Sequence, residues 1–144
     1  MIFENAHEIL KKIKQKEVSA QEVLESFLKQ VEAVNPSINA VVALDAERAL
    51  EKAKEADKKI ASKSKLGSLH GLPMTIKDAF EVEGIVSTGG NPAWQDNIPK
   101  RNAEAVQRLV DAGAIIFQAL FSSEYFALIE KFIAKIPFLI RNGI

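Results

Sequence analysis

Apolar residues along the chain recur at two spacings, and the switch between them marks out the elements. Between Asn5 and Lys16, Ile9, Leu10 and Ile13 fall on one helical face. Ser19 opens a second helix. Its hydroxyl can take the first free N–H groups while Glu22 reaches back, the capping-box arrangement. Val23, Leu24, Phe27, Leu28 and Val31 form the apolar stripe of that helix, and Asn35-Pro36 is expected to stop it. Ile38 to Leu44 is short, β-branched and apolar, as a buried strand would be. Asp45 can cap a third helix running to about Lys59, with Ala46, Ala49, Leu50, Ala53 and Ala56 on its packing side. Its other face, with Glu51, Glu55, Lys54, Lys58 and Lys59, reads as solvated. Ser62 to Ser68 is a polar connector.

The texture changes at Leu69. Gly71, Pro73, Gly84, Gly89, Gly90, Pro92 and Pro99 punctuate short apolar pieces, a pattern of strands and tight loops. A fourth helix follows from about Ala103 to Ala112, with Val106, Leu109 and Val110 apolar and Gly113 as its terminator. Ala114 to Phe117 then reads as a strongly apolar strand. Strands alternating with helices predict an α/β fold.

Composition narrows the chemistry. The chain has 144 residues, 47% hydrophobic and 26% charged, the balance of a globular domain. Nineteen basic and nineteen acidic residues give no net charge, which argues against direct nucleic-acid binding. With no cysteine and only His7 and His70, disulfides, thiolate nucleophiles and histidine-rich metal sites are excluded, and no metal or other cofactor is implied. No stretch reaches the roughly 18 apolar residues that span a bilayer, and Met1–Leu10 lacks the apolar run of a secretory signal. A cytoplasmic protein with no membrane partner is expected. The charge is uneven, however: residues 131–144 hold Lys131, Lys135 and Arg141 and no acid, +3, leaving −3 on the rest. Five of the eight phenylalanines lie at or after Phe117. Such a break can mark a domain edge, an interaction tail or a change of reading frame.

The candidate chemistry sits in His70-Gly71-Leu72-Pro73-Met74-Thr75-Ile76-Lys77-Asp78. A lysine inside a buried strand would favour its neutral form and could serve as a general base, with Asp78 fixing its position or charge. The plainer reading of the same pattern is a lysine at a strand end that reaches solvent. Ser87-Thr88-Gly89-Gly90-Asn91 lacks the spacing and lysine of a phosphate-binding loop and reads as a tight turn. Trp94 fits either packing or a pocket wall.

Resemblance decides what spacing leaves open. Gly71-Leu72-Pro73-Met74-Thr75-Ile76-Lys77-Asp78 resembles the G-x-P-x-x-x-K-D segment of the amidase signature family. Ser19 to Glu22 resembles the family's N-terminal helices, and Asn39-Ala40-Val41-Val42 its first strand. Gly84, Ser87-Thr88-Gly89-Gly90, and Ala105 through Ile116 follow it in order, so the resemblance covers roughly residues 5 to 117. The family includes amidases, fatty-acid amide hydrolases, allophanate hydrolases and the A subunit of glutamyl-tRNA(Gln) amidotransferase. It implies a mixed sheet flanked by helices, a small-molecule amide substrate, and a site of two serines and a lysine. Lys77 matches that lysine, which takes the nucleophile's proton through the bridging serine; Asp78 would support it.

The resemblance has a limit. The family's glycine/serine-rich signature, which carries both serines and helps form the oxyanion hole, has no counterpart here. After Phe117 the chain reads Gln118-Ala119-Leu120-Phe121, with Glu124-Tyr125-Phe126-Ala127 as a last echo. Ser122 and Ser123 read as a helix cap rather than a nucleophile. Tyr125, Leu128, Ile129, Phe132, Ile133 and Ile136 form an amphipathic stripe that Pro137 ends. The expectation is therefore an α/β chain in two parts. Residues 1–117 form the front of a truncated amidase-like domain, and 118–144 form a divergent tail. Alone it would be inactive, with Lys77 as the sole triad member. The alternative is a non-catalytic remnant or a small binding module on the same scaffold. A cut sheet would expose an edge and favour self-association unless Phe121–Ile136 covers it.

Overall fold

Local signals set the helices. A computed structural model describes residues 4–62 and 64–120. Helix α1, Ala6–Lys14, starts at Asn5, whose side chain accepts from the Glu8 N–H. Helix α2, Ala20–Ile38, starts with the full capping box: Ser19 Oγ accepts from the Glu22 N–H at 3.0 Å and Glu22 accepts from the Ser19 N–H at 2.8 Å. A further cap comes from far along the chain. The Asp57 carboxylate accepts from the N–H groups of Ala20 at 2.7 Å and Gln21 at 3.2 Å, so an acid of the third helix meets the positive end of α2.

The Ser19 N–H, and then its hydroxyl, hold the Glu22 carboxyl below its usual value. A carboxylate depressed in the folded state stabilises above its unfolded pKa, and that help is lost as pH falls through the folded one. The protection of the Ser19 amide against hydrogen exchange, taken relative to its intrinsic rate at each pH, is therefore expected to fall on acidification before that of the centre of α2. A uniform response along the helix would contradict the assignment.

The expected stop at Pro36 is not where α2 ends; the helix continues to Ile38. Proline removes one N–H, and in the last turn this forfeits a single bond without ending the helix. Asn39 ends it instead, in the left-handed region at φ +47°, donating its N–H to Asn35 O at 2.7 Å. Strand β1 consequently begins at Val41 rather than Ile38, and spans Val41–Leu44. Asn35 lies beside it: its amide accepts from the Val41 N–H at 2.8 Å and donates to Val41 O at 3.0 Å, so a side chain stands in for a neighbouring strand.

Helix α3, Ala46–Ala61, carries the expected Asp45 cap. It is followed by β2, Pro73–Lys77, a short 3-10 turn at Pro92–Trp94, α4, Glu104–Asp111, and β3, Ile115–Leu120. The sheet order is β1-β3-β2, with β3 in the middle, antiparallel to β1 and parallel to β2. Against β2, the β3 register passes from Ile116 to Gln118, leaving Phe117 as an extra residue. An extra residue switches which way the following side chains face. Ile115 and Phe117 thus join α2 and α3 in a core with Leu24, Ala49, Ala53 and Ala56. Beyond the bulge, Ala119 joins a separate core with Ile76, Val82, Ile85 and Val106 of α4. The alanine face of α3 keeps that helix close to α2, and Phe117 fills the space between, its ring 6.4 Å from that of Phe27.

One glycine is dictated by packing. Gly113, at φ +94°, turns α4 into β3, and a Cβ there would lie 2.8 Å from His70 Cα. Its carbonyl accepts from the Gly71 N–H at 2.9 Å, while His70 Nε2 lies 3.0 Å from Ala56 O. The entry to β2 is thereby fixed to both α3 and the α4–β3 turn. Among the described residues no helix is long and apolar enough to cross a membrane.

Candidate active site at the end of strand β2

Strand β2 enters the sheet through buried Leu72 and Pro73 and runs beside β3, with Lys77 in register with Leu120. Lys77 is its last residue and is exposed. Of the two readings that the residues left open, the structure shows the lysine at a strand end rather than in the middle of a buried strand. The physical reason is alternation: Ile76 faces the core, so its neighbour faces away.

Asp78 follows on the opposite side and is only 2% exposed. Its N–H continues the ladder to Leu120 O at 2.9 Å. Its carboxylate accepts from the Thr88 N–H at 2.8 Å and the Thr88 hydroxyl at 2.6 Å, and its carbonyl accepts from the Gly89 N–H at 3.2 Å. Asp78 thus ties the 87–91 segment to the end of β2 by both side chain and backbone. The hydroxyl bond, at 2.6 Å, is a short one.

The 87–91 segment is a tight turn, as its sequence suggests. Gly89 and Gly90 both take positive φ, +56° and +79°, and the turn closes with the Asn91 N–H on Thr88 O at 2.9 Å. The Gly90 N–H donates to Thr88 Oγ1 at 3.0 Å. Both glycine amides are thus used within the turn and at Asp78. Behind it, Ser87 is buried and exchanges bonds with Asn97: the Ser87 N–H reaches Asn97 O at 3.0 Å, and Asn97 Nδ2 reaches Ser87 O at 2.8 Å. Arg48 Nη1 donates to Glu83 O at 2.7 Å, linking α3 to the same loop region. Trp94 is 56% exposed and stands over Gly89, so it is not core packing.

The structure brings Asp78, Thr88 and the diglycine turn together, with the Lys77 side chain on the other side of β2. Ser122, Ser123 and the Phe121–Ile136 stripe lie outside the described residues. Asn97 and Asp57, and the bonding of Thr88 to Asp78, are not singled out by the sequence, because the partners lie 10 to 37 positions away and leave no periodic trace. Asp78→Ala is expected to cost about 2–3 kcal/mol, since it leaves the Thr88 donors without their acceptor. Urea unfolding measures this, and a loss under about 0.5 kcal/mol would contradict the role given to Asp78.

Comparison with known proteins fits this arrangement. A family model described as Amidase matches residues 22–124. The A subunit of glutamyl-tRNA(Gln) amidotransferase from Geotalea daltonii is 39% identical over 119 residues, which is 83% of this chain and 24% of that protein. An acylamidase of Rhodococcus erythropolis is 40% identical over 111 residues, 77% of this chain and 23% of the relative. The crystal structure of a bacterial aryl acylamidase of the amidase signature enzymes superposes with a TM-score of 0.77 at 27% identity, covering 83% of this chain and 25% of that one. The chain spans about a quarter of the length of the curated relatives it matches. By sequence match over most of its length and by its mixed sheet with flanking helices, the chain belongs to the amidase family.

Proposed function

We propose that this chain contributes the lysine of an amide-bond hydrolase, with Lys77 as the base and a small-molecule amide as substrate. The observation that carries this is the place of Lys77. It stands at the C-terminal end of a strand parallel to its central neighbour, one residue before the Asp78 that bonds to Thr88, and the carboxyl ends of parallel strands are where α/β folds hold ligands. A serine hydroxyl is a weak nucleophile until a base takes its proton. A neutral lysine amine can take it through a bridging hydroxyl and return it to the leaving nitrogen, and no histidine is needed. Both hydroxyls, and the donors that stabilise the oxyanion, would come from residues outside the amidase-like segment. So would the covering that desolvates Lys77, which is exposed in this segment.

That exposure favours a second reading, in which the chain is a non-catalytic module on the amidase scaffold. A chimera separates the two. The segment of the Rhodococcus erythropolis acylamidase that matches this chain is replaced by residues 5–120. On the first reading the folded chimera hydrolyses amides and depends on Lys77. Hydrolysis that persists unchanged after Lys77→Met overturns the assignment.

A further inference from the structure

Among the described residues the sheet has two outer edges, one on β1 and one on β2, because β3 lies between them. An outer edge offers N–H and C=O groups to any further strand, and proteins blunt such edges with proline, charge or a covering group. β2 carries two of these marks itself: Pro73, which has no N–H, at its start and the exposed Lys77 at its end. β1 carries neither. Val41-Val42-Ala43-Leu44 has no charge and no proline, and Val42 is 43% exposed.

What stands at the β1 edge is Asn35. Val41 lies opposite Leu120 in the register, yet its N–H donates to Asn35 Oδ1 at 2.8 Å and its carbonyl accepts from Asn35 Nδ2 at 3.0 Å. Both backbone groups of Val41 are therefore spent on a side chain rather than on β3. A carboxamide offers an acceptor and a donor side by side, as a peptide group does, so it takes both places that a residue of a further antiparallel strand would take. Its position is fixed from behind. Asn35 lies in the last turn of α2, and its own carbonyl accepts from the Asn39 N–H at 2.7 Å, where the left-handed residue ends the helix. At the other end of β1 the bonding to β3 continues, with the Asp45 N–H on Phe117 O at 3.0 Å.

We propose that Asn35 is an edge guard: by occupying Val41 it keeps β1 from pairing antiparallel with β1 of a second copy of this chain. The second copy is the excluded partner because the edge carries no charge to repel its like, and a two-fold antiparallel pair is self-complementary. The guard does not depend on which chemistry Lys77 performs.

Sedimentation equilibrium of the full 144-residue chain tests this. Asn35→Ala is expected to leave circular dichroism unchanged and to lower the dissociation constant for self-association at least about tenfold, as freeing two backbone groups for new bonds would give. Adding Val42→Lys is expected to restore the value of the unchanged chain, since a lysine on an edge opposes pairing. The chain has no cysteine, so single cysteines locate the contact. With Asn35→Ala, Val42→Cys is expected to form disulfides between chains faster than Thr75→Cys on β2. Hydrogen exchange of the unchanged chain gives a check that needs no variant to fold: the Val41 amide is expected to be protected equally at low and high protein concentration. Protection that rises with concentration overturns the proposal. So does an unchanged dissociation constant for Asn35→Ala, or stronger association that Val42→Lys leaves in place or that links through Thr75→Cys as fast as through Val42→Cys.

Discussion

Lys77→Met in the acylamidase chimera is expected to lower kcat for amide hydrolysis by about 10²–10⁴-fold, the usual contribution of a general base. KM is expected to change little, because the lysine acts on a proton of the enzyme rather than on the substrate. Lys77→Arg should be nearly as damaging. Arginine keeps a positive charge but does not give up its proton at any working pH, so it cannot serve as the acceptor. The pair of variants separates a proton-transfer role from a purely electrostatic one, which arginine would rescue. Thermal unfolding of the chimera variants is measured alongside, because the proposed covering buries a side chain that is exposed in this segment. A drop in kcat that followed a loss of stability would point away from chemistry. Steady-state kinetics beside a melting curve decides between them.

Phe117→Ala is expected to destabilise the chain by about 3–5 kcal/mol, the range for emptying a large aromatic site. Phe117 is 2% exposed and is the residue at which β3 bulges, so it both fills the α2–α3 core and sets the register of the strand beyond it. Against a total of about 5–15 kcal/mol for a domain this size, the loss could unfold much of the population at 37 °C. Phe80→Ala is the comparison: Phe80 is 48% exposed, and its truncation should cost less than about 0.5 kcal/mol. Urea titrations give both values. Similar costs at the two positions would mean that the core is not built around Phe117.

The helices are legible in the sequence because their signals are local. Ser19 and Glu22 are three residues apart, and the apolar stripe of α2 and the alanine face of α3 repeat within each helix. The α/β class and the amidase resemblance follow from the same stretches. Other features are not legible, each for a physical reason. Pro36 reads as a stop, but its cost depends on where in the helix it falls, and that is fixed by Asn39 and by Asn35 pairing with Val41. At Lys77 the apolar neighbours leave a buried and a strand-end reading both open, and alternation along β2 decides it by turning Lys77 outward while Ile76 and Asp78 turn in. The bulge at Phe117, the Asp78–Thr88 bonds and the Asp57 cap all depend on residues distant in sequence.

The site is legible to a different degree. Lys77 and Asp78 stand out through the G-x-P-x-x-x-K-D segment. The resemblance implies that Asp78 serves Lys77, and the structure shows its carboxylate holding the Thr88 turn. The positive φ of Gly89 and Gly90 agrees with a tight turn, whose glycine amides are taken by Asp78 O and Thr88 Oγ1.

On the proposed reading this chain brings a base and no activated serine. A serine-directed fluorophosphonate, applied to the folded 144-residue chain and read by intact mass, probes that division of labour without a substrate. No adduct and no turnover of simple amides are expected. One fluorophosphonate per chain, mapped to a single serine of this sequence, would contradict it.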